Sequence, residues 1–134
     1  MKEKFIIMTN NPMVPKALGE KYDIVYKDSS LPEFFEEVQE KICEGHILLT
    51  HPLSGSVKPG ETPYKSVLIS SIAADAGRSS EEIVLSVRLI ESALAACEKF
   101  KMKPERFAGD VLSDLQLIDY TLLESALSSA ETGL

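Results

Sequence analysis

A chain of 134 residues with 44% hydrophobic and 26% charged residues has enough apolar material for one ordinary core, and the even composition places a single domain over 1–134. The net charge of −7 argues against nucleic acid, whose binding rests on Lys and Arg neutralising phosphates. No apolar run approaches the about 20 residues of a membrane span, and the opening MKEKFIIMTNNP lacks the long apolar stretch of a signal peptide, so the expected location is cytoplasmic.

Phe5-Ile6-Ile7-Met8 is a short apolar run that stops at Thr9-Asn10-Asn11-Pro12, the pattern of a buried strand ending in a polar turn. Tyr22 to Tyr26 is β-branched and aromatic and reads as a second strand. The stretch between them has room for a helical turn or two. Ser30, Pro32 and Glu33 then form a helix start, with Phe34, Phe35, Val38 and Ile42 on one face and Gly45 as terminator. Strands are expected at 46–50 and 66–70, both apolar in consecutive positions, as in strands covered on two faces.

Ser79 and Glu82 have the spacing of a capping box, followed by an apolar stripe of Ile83, Val87, Ile90, Leu94 and Cys97. A last helix starts near Asp110, with Val111, Leu115, Ile118 and Leu122 on one face and Leu112, Leu117, Leu123 and Leu127 widening it. So broad an apolar surface is either deeply buried or shared, and a homodimer through the C-terminal helices is one expectation. The order β-β-α-β-β-α-α predicts an α/β fold, a small mostly parallel sheet of about four strands with helices packed on it.

The loop His51–Lys65 is fifteen residues long, where connections in compact domains typically run about four to six. Its three prolines restrict the backbone, and Ser54-Gly55-Ser56 offers N–H groups and hydroxyls suited to an anion nest. Lys58 and Lys65 supply charge; Thr62 and Tyr64 supply hydroxyls. The same residue types serve any loop as turn formers, so a ligand site and a plain loop both stand open. Ligands in open α/β sheets sit at the carboxyl ends of parallel strands. If the strands at 5–8 and 46–50 are parallel neighbours, Thr9, Asn10 and Asn11 converge with His51 and Ser54.

Catalysis has less support. His51 is the one acid/base candidate in the loop, but no carboxylate stands near it in sequence to orient the imidazole, and Ser54 and Ser56 lack the context of an activated nucleophile. His46 belongs to the opposite strand end, which speaks against a two-histidine metal site. Cys43 and Cys97 are isolated and read as small apolar residues on helix faces. Neither a metal nor a cofactor is expected.

The stretch GHILLTHPLSGSVKPGETPYKSVLIS, the TNNP after the first strand, and the closing DLQLIDYTLLESAL resemble the GrdX family. The matching motif residues are Thr9, Asn10, Asn11, Pro12, His51, Pro52, Ser54, Gly55, Ser56, Lys58, Pro59, Glu61, Thr62, Tyr64 and Lys65. The resemblance implies an accessory protein of the glycine, sarcosine or betaine reductase system, in which other components carry the redox chemistry. The expected role is non-catalytic, holding a small anionic ligand or a reductase-complex subunit at the 51–65 loop and the 9–12 turn. The alternative is a small enzyme acting on an amino-acid-derived metabolite, with His51 as acid/base.

Overall fold

The computed structural model describes residues 4–53, 60–71, 79–101 and 107–132. Apolar and β-branched runs give three strands among these residues, β1 (Phe5–Thr9), β2 (Ile24–Tyr26) and β3 (Ser66–Ser70). The helices are α1 (Met13–Leu18), α2 (Leu31–Cys43), α3 (Ser80–Lys99) and α4 (Asp110–Thr132), in the order β1-α1-β2-α2-β3-α3-α4. The strand order is β2-β1-β3. β2 runs parallel to β1, with Ile7 opposite Ile24, while β3 runs antiparallel to it, with Thr9 opposite Ser66 and Phe5 opposite Ser70.

This mixed three-stranded sheet replaces the expected four-stranded, mostly parallel one. Consecutive apolar residues report cover on both faces of a strand and carry no information about its direction. The 46–50 segment reaches only an isolated antiparallel bridge, Leu48 opposite Ile69. The reason lies in the side chains at its two ends. Ser70 Oγ accepts the Ile47 N–H at 3.0 Å and Thr50 Oγ1 accepts the Leu68 N–H at 3.1 Å, so hydroxyls take backbone N–H groups on either side of the bridge. On its outer side, Leu48 N donates to Ser86 Oγ of α3 at 3.0 Å. The segment still runs in the direction of β1, but β3 lies between them.

Alternation along the strands sends side chains to two cores, making three layers. Met8, Val67 and Ile69 face α2 and α3, where Phe34, Phe35, Val38, Ile42, Ile90 and Ala93 are buried. Ile7 and Leu68 face α1 and α4, meeting Val14, Leu18, Leu123 and Leu127. Burying a side chain of this size contributes roughly 1.5–3 kcal/mol.

The expected helix starts hold. Ser30 with Glu33, and Ser79 with Glu82, form complete capping boxes, and Gly45 follows α2 at φ 112°, where a side chain would be strained. α4 buries one side of its broad apolar surface and leaves another exposed. Asp119, Leu123 and Leu127 turn inward, and Val111, Ile118 and Leu122 face outward, each about two-fifths exposed. None of the described helices is long and apolar enough to cross a membrane.

Candidate functional site

The polar residues after β1 fall at one end of the sheet because Thr9 is the last residue of β1 and lies opposite Ser66, the first of β3. Asn10 is buried and fully engaged: its Nδ2 donates to Ser29 O at 3.1 Å and to Pro63 O at 2.8 Å, and its Oδ1 accepts the Lys65 N–H at 2.8 Å. One side chain thus fastens β1 to the lead-in of α2 and to the 63–65 segment. Asn11, wholly buried, donates from Nδ2 to Gln116 O at 2.9 Å and to Asp119 Oδ2 at 3.0 Å, while its Oδ1 accepts the Met13 N–H at 3.0 Å.

A chain of hydroxyls runs beside these amides. Asn11 N donates to Thr9 Oγ1 at 3.0 Å, and Thr9 Oγ1 lies 2.7 Å from Ser66 Oγ. Ser66 Oγ donates to Asp119 Oδ2 at 2.7 Å. The Thr9 hydroxyl also lies within donating distance of the Lys65 carbonyl oxygen, at 3.4 Å. Asp119 Oδ2 therefore gathers a serine hydroxyl and an asparagine amide in a buried setting.

Lys65 is buried beside this carboxylate. Burial lowers the Lys65 ammonium from its usual value, and the Asp119 charge opposes that shift. Burial also raises the Asp119 carboxyl above the usual carboxylate value, against the hydrogen bonds from Asn11 and Ser66 and the attraction of Lys65. Two shallow crevices open on the pair. One is walled by Thr62, Tyr64, Leu115 and Ile118, the other by Thr50, Ser66, Leu123 and Ala126, and Leu122 borders both. A buried cation and a carboxylate whose ionisation burial opposes thus lie side by side at this end of the sheet.

Thr62 and Tyr64 brace this arrangement. Thr62 Oγ1 accepts the Tyr64 N–H at 3.2 Å, shaping the turn into Lys65, and Tyr64 OH accepts from Gln116 Nε2 at 2.9 Å. At Gly60 an added Cβ would stand 2.8 Å from the Phe100 carbonyl oxygen, so only glycine lets the chain pass the end of α3 there. His51 stands outside the network. It is exposed, and its Nδ1 accepts the Leu53 N–H at 3.0 Å, a bond that forms its own turn. His46 is at the other end of the sheet, with its Nδ1 2.5 Å from Ser70 O.

Of the residues singled out in the sequence, Thr9, Asn10, Asn11, Thr62, Tyr64 and Lys65 are brought together, and His51 is not joined to them by these bonds. Ser54, Gly55, Ser56 and Lys58 lie outside the described residues. Sequence reasoning missed Thr50, Ser66, Gln116 and above all Asp119. Its signal was present: Asp119 is a lone carboxylate four and eight residues before the buried Leu123 and Leu127, on the inward stripe of α4. Among the described residues no group of three His, Cys, Asp or Glu side chains is placed to hold a metal.

Neither a curated protein nor a solved structure matches the chain. The sequence model of the GrdX-like protein family does, over residues 6–128, which takes in β1 from its second residue, the Asn10–Asn11 turn, the 60–66 segment and most of α4. The chain therefore belongs to the GrdX-like protein family.

Proposed function

We propose that this chain is a non-catalytic accessory protein of an amino-acid reductase system acting on glycine, sarcosine or betaine, and that it holds an anionic group beside Lys65. Family membership supports the reductase context. The observation that supports the binding role is the Lys65–Asp119 pair bordering two crevices, with Asp119 held by hydrogen bonds from Asn11 and Ser66. The anionic group belongs either to a small carboxylate or phosphate ligand or to a side chain of a reductase subunit, and the chemistry of recognition is common to both. Burial raises the Asp119 carboxyl above its usual value, which weakens its competition with an incoming anion for the Lys65 charge. The reading of His51 as acid/base has less behind it, since the ring nitrogen Nδ1 is occupied by its own turn.

The test uses extracts of reductase-producing cells that lack this chain. Wild-type protein and the His51→Asn variant are expected to restore glycine-dependent reduction alike, and Lys65→Met to lose at least about tenfold of the effect, the scale set by removing one charge-assisted contact. Lys65→Arg, which keeps the charge, is expected to recover part of it. Loss with His51→Asn and none with Lys65→Met would overturn the proposal in favour of the enzyme reading.

A further inference from the structure

The outward face of α4 is an apolar stripe with an acidic border. Val111, Leu115, Ile118 and Leu122 recur at helical spacing, and Val111, Ile118 and Leu122 are 43%, 43% and 39% exposed. They cover about 16 Å of helix, close to three turns, at a rise of about 1.5 Å per residue. The stripe is continuous with the crevice beside Lys65, whose wall includes Leu115, Ile118 and Leu122. Asp110, Asp114 and Glu124 are exposed on the same helix, Glu61 is exposed next to Thr62 of the crevice wall, and 107–132 contains no lysine or arginine. Lys65, the cation at this crevice, is buried against Asp119.

We infer that this face docks an amphipathic basic helix of another protein, with its apolar side on the Val111–Leu122 stripe and its lysines or arginines toward Asp110, Asp114 and Glu61. Charge selects this occupant over a second copy of the chain. Two copies of α4 packed stripe to stripe would bring carboxylates toward carboxylates with no exposed cation on either helix to separate them. The docking face shares Leu115, Ile118 and Leu122 with the wall of the Lys65 crevice, but it extends beyond it to Val111 and Asp110 and does not rest on the reductase reading.

The experiment measures fluorescence anisotropy of two labelled peptides of about 15 residues with the same leucine pattern, one carrying lysine and the other glutamate at the polar positions. The lysine peptide is expected to bind at least about tenfold more tightly than the glutamate peptide, with an advantage that shrinks as salt rises. Val111→Ser with Ile118→Ser, which leaves the charge unchanged, is expected to weaken it about tenfold, and Asp110→Asn with Asp114→Asn to reduce its salt dependence. Both double variants alter exposed positions, and an unchanged melting temperature shows that they fold. Equal binding of the two peptides, or binding indifferent to the serine substitutions, overturns the inference. So does a dimer in light scattering that the serine variant dissociates, because the face would then be occupied by a second copy.

Discussion

Asn11 and Asp119 stand 108 positions apart in the chain and meet at 3.0 Å in the buried end of the sheet, the Asn11 amide donating to Asp119 Oδ2. This bond, with Asn11 Nδ2 also donating to Gln116 O, couples the turn after β1 to the middle of α4. An amide is needed there, because Asn11 must donate toward α4 and accept from Met13 at once. Asn11→Asp keeps the shape but places two carboxylates within hydrogen-bond distance. It is expected to destabilise the protein by about 2–4 kcal/mol at pH 7. As pH falls the pair takes up one proton and the deficit narrows, so urea denaturation at pH 7 and near pH 5 should show the variant gaining on wild type. A deficit that widens on acidification would contradict the arrangement.

Asp119 itself sets a second dependence. Its folded-state pKa lies above the value of 3.8 that it has when unfolded, so the folded protein binds the proton more readily. Stability from this group is gained as pH falls through the raised value and is complete below about 3.8. Wild type compared with Asp119→Asn should therefore improve on acidification below neutrality. Lys65 is shifted the opposite way, below 10.5, so its burial penalty is relieved as pH rises through the lowered value, and wild type should gain on Lys65→Met in alkaline buffer. Denaturation midpoints of the three proteins across pH check both signs.

Gly60→Ala is expected to cost about 1–3 kcal/mol, since its Cβ would meet backbone at Phe100 and not a side-chain end that can swing away. Thermal unfolding measures the loss. Gly109→Ala is the informative comparison, because nothing lies within 4 Å of an added Cβ there and only the positive φ of 60° opposes it.

The two cysteines should react at very different rates. Cys43 is exposed at the end of α2, whereas burial and the nearby Glu98 charge push the Cys97 thiol up to about 11. The thiolate is the reactive form, so at pH 8 a disulfide reagent should label Cys43 first and Cys97 at least about a hundredfold more slowly in the folded protein. Mass spectrometry of partially labelled protein distinguishes the sites, and equal rates would count against the burial of Cys97.

Much of this architecture can be read from local chemistry. The capping boxes at Ser30 and Ser79 and the terminator at Gly45 are short-range signals, and the helices start or stop at them. What a sequence does not report is the direction in which β3 enters the sheet, because Val67-Leu68-Ile69 is apolar whichever neighbour it pairs with. The site divides along the same line. Thr9, Asn10 and Lys65 stand out as polar residues bordering buried strands, and the fold gathers them. Asp119 completes the site from a helix far along the chain, where it reads as one acid among many until its neighbours at 123 and 127 are seen to be buried. α4 itself is apolar around most of its circumference, so hydrophobic spacing alone could not choose between the Val111–Leu122 stripe and the Leu123–Leu127 side.

The hydroxyl of Ser86 has a consequence for how molecules of this protein meet one another. By taking the Leu48 N–H on the far side of the bridge, it fills with a helix the row where a strand from a neighbouring molecule would otherwise attach. Sheet-to-sheet polymerisation is left the opposite border, where β2 offers three residues. Three residues fall short of the about six or seven that a steric zipper stacks.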